Sequence, residues 1–390
     1  MSVQTVSMEV NPLKSLSLLI KPASGNCQLR CRYCFYENVT ESRQTANYGV
    51  MKYETLETLV RNAIAETTDQ CTFAFQGGEP TLVGLDFYRD LIRLQEKYRA
   101  EFQKKSLVIH NAIQTNGMLL DDDWCEFFAR NKFLVGLSLD GDKDIHDQNR
   151  IDAAGKGTYN RVMKAACLLE KHKVEFNILV VVTSQLARRA KHVYHALVNN
   201  GFRYLQFIPC IDDFGQEPGS SPFSLTAERY GEFLINLFDE WYKDFMAGRY
   251  ISIRHFDNWI HMLQGQPPET CSMSGRCTCY GVIEADGSVY PCDFYVLDEW
   301  RLGTIKDSSF EDLLTGELAQ AFVQASWPVA TKCQTCKHYP ICRGGCRRDR
   351  EPLRLGEGQD ASLNVYCDGY LAFFDHALGR MQQIARMTQR

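Results

Sequence analysis

Three cysteines at short spacing constrain this chain more than any other feature of its sequence. Cys27, Cys31 and Cys34 form a C-x3-C-x2-C run. A cubane iron–sulfur cluster has four irons and is normally held by four thiolates. Three thiolates on one short loop leave one iron open, and an open iron can bind and activate a small molecule. The run, hereafter the cysteine triple, therefore predicts a reactive cluster rather than one that only carries electrons or supports the fold.

The composition excludes several classes of function. Hydrophobic residues make up 45% of the 390 residues, so we expect a globular protein. We expect no membrane span, because no apolar run approaches the ~18 residues that one needs. The first ten residues lack the basic start and apolar core of a signal peptide, which favours a cytoplasmic protein. A net charge of -5 gives no global attraction for nucleic acid.

The cysteine content favours metal or redox chemistry. The chain has 16 cysteines and no recognisable export signal, and disulfide frameworks belong to short secreted chains. Structural zinc is the alternative. Zinc sites usually pair C-x2-C knuckles, so the cysteine triple disfavours zinc, whereas the second half of the chain leaves a zinc ribbon open.

The first 210 residues alternate short β-branched or aromatic runs with helical patterns. We expect strands at 17–21, 72–76, 107–115, 133–139, 174–183 and 203–209, and helices at 54–68, 86–102, 122–131, 159–172 and 188–199. Such alternation predicts parallel βαβ units, which could form an open sheet or a partial barrel. In both architectures ligands bind at the carboxyl ends of the strands, and the cysteine triple directly follows the first strand.

The second half changes in character. From 225 to 262 the pattern is helical, and its aromatic residues are expected to pack a core. Eight cysteines then follow, the number that two four-thiolate clusters need: Cys271, Cys277, Cys292, Cys333, Cys336, Cys342, Cys346 and Cys367. Five cysteines are spare. Cys71, Cys125, Cys167 and Cys210 are expected in the core, and Cys279 is an ambiguous extra ligand. The closing stretch, 370–387, is expected to be a helix.

The motifs together resemble a known family. The cysteine triple, with Tyr33 before its last cysteine, looks like the radical S-adenosylmethionine signature, and the later cysteines resemble the SPASM auxiliary-cluster domain. The segments SLLIKPASGNC (17–27), FAFQGGEPT (73–81), QTNG (114–117), VGLSLDG (135–141) and SVYPCDFY (288–295) extend the likeness to the anaerobic sulfatase-maturating enzymes. The likeness runs from about residue 15 to about residue 375.

The resemblance implies an α/β fold, a partial (β/α)6 barrel with a C-terminal, cysteine-rich SPASM domain that holds two auxiliary clusters. We expect the barrel over 1–215, a helical connecting region over 216–270, and the SPASM domain with its closing helix over 271–390. The implied cofactors are S-adenosylmethionine and three 4Fe–4S clusters. The implied activity is the anaerobic oxidation of a cysteine or serine of a sulfatase to Cα-formylglycine.

The resemblance also implies roles for individual residues. The cysteine triple holds the cluster that binds S-adenosylmethionine, and the cofactor contacts are Tyr33, Gly78, Ser138, Arg150 and Ile211. Spacing alone groups Cys333, Cys336, Cys342 and Cys346, but the family implies a crossed arrangement. The first auxiliary set is Cys271, Cys277, Cys292 and Cys346, and the second auxiliary set is Cys333, Cys336, Cys342 and Cys367.

Asp293 occupies the position of the family's catalytic base, and Tyr36 is a candidate to line the same pocket. Without the resemblance, Asp293 would be interpreted as a turn residue after Pro291. The implied partners are a sulfatase with a C/S-x-P-x-R motif and a reductant such as flavodoxin or ferredoxin. Two alternatives stay open: a SPASM enzyme that forms thioether or carbon–carbon crosslinks in a precursor peptide, and a non-catalytic iron–sulfur carrier.

Overall fold

One curved sheet organises the computed structural model, which describes residues 13–351 and 363–389. Its ten strands follow the order β10-β9-β8-β1-β2-β3-β4-β5-β6-β7. They are β1 Leu13–Ile20, β2 Thr67–Phe75, β3 Val108–Thr115, β4 Leu134–Ser138, β5 Phe176–Val182, β6 Tyr204–Pro209, β7 Ser252–Ile253, β8 Val282–Ile283, β9 Ser288–Tyr290 and β10 Gly303–Thr304. Strands β1 to β6 pair in parallel and in chain order. This confirms the predicted six-unit partial barrel.

The helices cover the outside of the barrel and build the C-terminal region. They are α1 Phe35–Glu41, α2 Tyr53–Glu66, α3 Leu85–Glu101, α4 Asp122–Arg130, α5 Lys143–Asn149, α6 Tyr159–Lys171, α7 Ser184–Ala187, α8 Ala190–Asn199, α9 Ala227–Met246, α10 Arg254–Leu263, α11 Cys271–Ser274, α12 Phe310–Thr315, α13 Glu317–Gln324, α14 Thr331–Gln334, α15 Tyr339–Cys342 and α16 Cys367–Thr388. Asp121 caps α4 by accepting from the Trp124 backbone N–H, as its carboxylate-rich start predicts.

Strands from the later regions extend the barrel sheet at both edges. β7 pairs with β6, and β8 pairs in parallel with β1 at Leu19↔Val282 and Ile20↔Ile283. β8, β9 and β10 then continue as an antiparallel meander. The C-terminal, cysteine-rich region therefore begins beside the first strand, at the same sheet end from which the cysteine triple leaves.

One sequence prediction is wrong and another lacks a detail, since Cys167 is not in the core and the helical region over 225–262 contains a break. The helical pattern over 225–262 is two helices, because the chain turns at Gly248 (φ +75°) and forms β7 before α10 begins. Cys167 is exposed rather than in the core, because the buried positions of α6 are Val162, Ala165, Ala166 and Leu169 on its opposite face. Cys71, Cys125 and Cys210 are buried, as predicted.

Helices α9 and α16 cross closely and fix the start of α16. A Cβ on Gly231 would lie 2.7 Å from the Gly369 Cα, so neither position has room for a side chain. The aromatic core predicted for this region surrounds the crossing, with Phe233, Phe238 and Trp241 all buried. Cys367 begins α16, and the crossing therefore determines where this cysteine lies.

The predicted absence of a signal peptide concerns the first ten residues, which lie outside the described residues. Within 13–351 and 363–389, the helices are all too short or too polar to cross a membrane.

Candidate active site

A cavity of about 340 Å³ opens at the carboxyl ends of the barrel strands. This barrel cavity is lined by the cysteine triple, by Asp293 and by all five predicted cofactor contacts, Tyr33, Gly78, Ser138, Arg150 and Ile211. A cavity of this size falls in the range of ordinary cofactor sites. The structure therefore brings together residues that are up to 266 positions apart, from Cys27 to Asp293.

The loop that carries the cysteine triple is held by backbone hydrogen bonds. The N–H groups of Arg30 and Arg32 donate to the carbonyls of Ile151 and Asn149 at 2.7 Å and 3.0 Å. Burial raises the pKa of the Cys27 thiol to about 11 and that of Cys31 to about 12. Buried thiols of this kind become thiolates when they bind a metal, since a coordinated thiol loses its proton.

Gly78 is required by packing within the protein. A Cβ at this position would lie 2.1 Å from the Asn26 carbonyl oxygen, and the Gly78 N–H donates to the Ser24 carbonyl at 2.9 Å. The glycine therefore lets the turn after β2 approach the start of the cysteine loop.

The buried Glu79 carboxylate ties the same turn to the end of β3. Its oxygens accept from the Thr81 N–H at 3.1 Å, the Thr115 hydroxyl at 2.7 Å and the Asn116 N–H at 2.8 Å. The Asn116 amide in turn donates to the Cys27 sulfur at 3.7 Å. A Glu at this position thus stabilises the wall around the cysteine triple.

Arg150 belongs to a buried ion pair at the cavity wall. Its Nε and Nη2 donate to the two oxygens of Asp140 at 2.9 Å and 3.2 Å, and Tyr33 donates its hydroxyl to the same carboxylate. Arg150 is 6% exposed, so it belongs to the cavity wall and not to the protein surface. Ser138 lies nearby on β4, and its hydroxyl accepts from the Gln114 amide at 3.1 Å.

Asp293 is buried at the side of the barrel cavity that faces the C-terminal region. Its Oδ2 accepts from the Tyr36 hydroxyl at 2.6 Å and from the Gln76 amide at 3.3 Å. Gln76 also donates to the Tyr36 hydroxyl at 2.8 Å. Burial raises the pKa of Asp293, while the Lys21 charge and the Tyr36 hydrogen bond oppose that rise. Tyr36 thus has a defined polar partner and does more than pack a core.

A fully buried charge network lies behind Asp293. Lys21 Nζ is 3.6 Å from Asp293 Oδ1 and 3.5 Å from Glu284 Oε1, and Arg43 Nη1 is 2.7 Å from the same Glu284 oxygen. Burial acts against the Glu284 charge, but Lys21 and Arg43 bring the pKa of Glu284 below its ordinary value. Two cations thus face two carboxylates, and the network is neutral overall.

Two further cavities hold the later cysteines. A cavity of about 220 Å³, the first auxiliary cavity, is lined by the whole first auxiliary set and by Cys342. A cavity of about 290 Å³ is lined by the whole second auxiliary set. Cys346 thus lies with Cys271, Cys277 and Cys292 and away from Cys333, Cys336 and Cys367, as the crossed arrangement requires, while Cys342 lines both cavities. Across the described residues, no three His, Cys, Asp or Glu side chains converge at the spacing of a single metal ion.

The residues present fit iron–sulfur clusters and a bound small cofactor. Each auxiliary set has four thiols, which is the ligand number of a cubane cluster, and the first auxiliary cavity also contains Cys342. The barrel cavity contains the three thiols of the cysteine triple and, on another element, Cys210. Cys279, which the sequence left ambiguous, is absent from the described lining of both auxiliary cavities.

Comparisons with known proteins agree with this geometry. Residues 22–195 match the Radical SAM superfamily, and residues 271–337 match the iron–sulfur cluster-binding SPASM domain. Fold and site thus define a radical S-adenosylmethionine enzyme with auxiliary clusters, and the predicted cofactors, S-adenosylmethionine and 4Fe–4S clusters, are confirmed.

Similar proteins show to which family of radical S-adenosylmethionine enzymes the chain belongs. The chain is 46% identical to a cysteine-type anaerobic sulfatase-maturating enzyme of Clostridium novyi, over 96% of this chain and 98% of that one. It is 33% identical to a serine-type enzyme of Bacteroides thetaiotaomicron, over 93% and 89%. A solved structure of native anSMEcpe with bound AdoMet and Cp18Cys peptide has a TM-score of 0.90 at 46% identity, covering 96% and 99%. The chain belongs to the family of anaerobic sulfatase-maturating enzymes.

Sequence reasoning missed several residues of the site. Gln76 and Asp140 lie inside motifs that were recognised, but neither was given a role. Gln76 directly follows β2 and Asp140 comes two residues after β4, and these positions were the available signal. Lys21 also follows a strand directly, yet a lysine in that position gives no sequence sign that it is fully buried.

Proposed function

We propose that this protein oxidises the Cβ of a cysteine in a sulfatase to give Cα-formylglycine without oxygen. The observation that supports this most directly is the barrel cavity, in which the cysteine triple and the Asp293 carboxylate line one space. A radical source and a proton acceptor that share one cavity suit the removal of a hydrogen atom and a proton from the same side chain.

When bound, S-adenosylmethionine and the clusters supply a radical that removes a Cβ hydrogen and an acceptor for the second electron. Asp293 takes the proton of the substrate thiol. We assign that proton to Oδ2, because this oxygen lies among the cavity-lining Tyr36 and Gln76 side chains. Tyr36 and Gln76 orient the carboxylate, and Lys21 supports its other oxygen from behind. Water then adds to the resulting thioaldehyde and hydrogen sulfide leaves, which gives the aldehyde.

The substrate side chain is proposed to be cysteine. The chain shares 46% identity with cysteine-type relatives and 33% with a serine-type relative. The proposed recognition motif is C-x-P-x-R, with the serine form as the poorer substrate, and the proposed electron donor is a flavodoxin or ferredoxin. The proposed compartment is the cytoplasm, whose reducing poise keeps cysteine thiols available for clusters.

Mass spectrometry of two synthetic peptides tests the proposal. The peptides carry C-x-P-x-R and S-x-P-x-R and are incubated anaerobically with the reconstituted protein, S-adenosylmethionine and reductant. We expect the cysteine peptide to lose the mass that conversion of a thiol to an aldehyde requires, faster than the serine peptide reacts. Cleavage of S-adenosylmethionine with neither peptide converted would refute the assignment. A peptide without the cysteine or serine serves as the control.

A further inference from the structure

Five residues separate the barrel cavity from the first auxiliary cavity, since they line both. They are Ile208, Pro209, Ile211, Tyr280 and Phe294. Tyr280 is the member of this described partition that has a polar side chain. Its ring packs against two small apolar clusters, one that contains Val282 and Tyr290 and one that contains Cys292 and Tyr295. The hydroxyl is therefore held in place at the boundary between the two cavities.

The β8–β9 hairpin places this tyrosine beside a predicted cluster ligand. Val282 pairs with Tyr290 and Ile283 with Val289, so the same register sets Tyr280 opposite Cys292 just beyond the paired strands. The Tyr280 N–H donates to the Pro291 carbonyl at 3.3 Å, which continues the pairing. Gly287, with φ +95°, supplies the tight turn that fixes this register.

The phenol hydroxyl makes two hydrogen bonds whose directions are determined. It accepts from the Asp293 backbone N–H at 2.9 Å and lies 3.6 Å from the Cys292 sulfur. Because the N–H is already the donor in the first bond, the single O–H hydrogen is free to point at the sulfur. One hydroxyl thus contacts both the catalytic base segment and a cysteine of the first auxiliary set.

We propose that Tyr280 is a positioning residue that raises the reduction potential of the first auxiliary cluster by donating a hydrogen bond to Cys292. This inference rests on the proposed function, in which the substrate radical loses a second electron. We assign the first auxiliary cluster as the acceptor of that electron. Hydrogen bonds to the sulfurs are among the factors that set cluster potentials. A donor withdraws electron density from the thiolate and favours the reduced cluster, so Tyr280 makes electron acceptance easier next to the residue that takes the proton.

Tyr280→Phe tests the inference because it removes the hydroxyl and keeps the packed ring. The reconstituted full-length protein is titrated anaerobically with reductant and followed by electron paramagnetic resonance, without cofactor or peptide. We expect one auxiliary midpoint to fall by roughly 59 mV, which corresponds to a tenfold weaker electron affinity for a one-electron couple. The same titration with the cysteine triple replaced by alanine removes the signal of the barrel cluster, so that a remaining shift belongs to an auxiliary cluster.

Tyr290→Phe is the matched control. Tyr290 lies on the same hairpin and is buried, but its hydroxyl is 3.0 Å from the Tyr48 hydroxyl and not near a cysteine. We expect its midpoints to equal those of the parent protein.

A second variant, with 3,5-difluorotyrosine at position 280, has a more acidic phenol and donates more strongly, so the midpoint should rise.

Three results would overturn the inference: unchanged auxiliary midpoints in Tyr280→Phe at full iron content, an equal shift in Tyr290→Phe, or a fall with difluorotyrosine. If Tyr280→Phe loses iron, the sign of the difluorotyrosine shift decides the question. A predicted shift in a protein that leaves both peptides unmodified would refute the proposed function while the contact between Tyr280 and the cluster ligand stands. Formylglycine formation by Tyr280→Phe with unchanged midpoints would support the proposed function and refute the effect of Tyr280 on the cluster potential.

Discussion

Acidification is expected to destabilise this protein through His146, whose imidazole is fully buried behind the wall of the barrel cavity. The Asp140 backbone N–H lies 3.2 Å from Nδ1, and Thr158 Oγ1 lies 2.9 Å from Nε2. The Thr158 hydroxyl donates to the Arg150 carbonyl at 2.9 Å, so Nε2–H must be the donor to Thr158. These contacts require a neutral ring, because a protonated Nδ1 would direct its hydrogen at another N–H.

Burial lowers the pKa of His146 from 6.5 to about 4. The folded-state pKa lies below the unfolded value, so the unfolded chain takes up the proton first as the pH falls. Well above pH 6.5, His146 therefore has no effect on the free energy of unfolding. As the pH falls to about 4 it lowers that free energy progressively, and below about pH 4 the loss stays constant. At about pH 5.5 the penalty is about 1.4 kcal/mol, and at full extent about 3 kcal/mol.

The measurement compares urea unfolding at about pH 7.5 and about pH 5.5, under anaerobic conditions, for the parent protein and His146→Asn. Asparagine does not titrate, and its side-chain oxygen can still accept from the Asp140 N–H. Between these two pH values, we expect the free energy of unfolding to fall by about 1.4 kcal/mol less in the variant than in the parent. This difference does not depend on the stability of the variant at the higher pH. The exposed His110→Asn is the control and should follow the parent. Equal pH slopes for all three proteins would show that His146 is not held neutral.

Three further predictions concern the site. Asp293→Asn should keep its clusters and cleave S-adenosylmethionine, while formylglycine formation, measured by mass spectrometry, falls by roughly 10²–10⁴-fold; product at the parental rate would eliminate Asp293 as the base. Gly78→Ala should displace the cysteine loop, because the new Cβ would lie 2.1 Å from the Asn26 oxygen, and about four irons should be lost. Gly379→Ala, where nothing lies within 4 Å, should keep its iron. Replacing the cysteine triple by alanine should leave about eight of about twelve irons by iron analysis, and retention of all twelve would contradict its role.

The barrel was predictable because each strand and helix carries its own local pattern. Alternation of apolar runs with helical segments gave six strands and the end of the sheet at which a ligand binds, and a capping carboxylate gave the start of α4. The break between α9 and α10 was not predictable by the same means. Both helices are aromatic and amphipathic, so the pattern continues through the short turn and β7 that separate them.

The cysteines that line the three cavities could be predicted, whereas the polar network around the barrel cavity could not. The spacing of the cysteines indicates a cluster. The polar partners, in contrast, come from other elements: Arg150 pairs with Asp140 after β4, and Asp293 pairs with Tyr36 in the helix after the cysteine triple. Pairing of such residues depends on tertiary packing that a single sequence does not encode locally. The domain boundaries near 215 and 270 stay a prediction, because β7 and β8 to β10 join the barrel sheet itself.

The register between β1 and β8 connects the two halves of the active site. Leu19 pairs with Val282 and Ile20 with Ile283, so the next residues along both chains, Lys21 and Glu284, face each other. A slip of one residue would reverse the faces of β8 and leave an uncompensated buried charge, which typically costs about 3–5 kcal/mol. Buried ion pairs typically add little net stability, so the expected effect of this pair is to favour one alignment over the others. Because the same hairpin carries Tyr280, Cys292 and Asp293, that alignment places Asp293 at the barrel cavity and Cys292 at the first auxiliary cavity, with Tyr280 lining both.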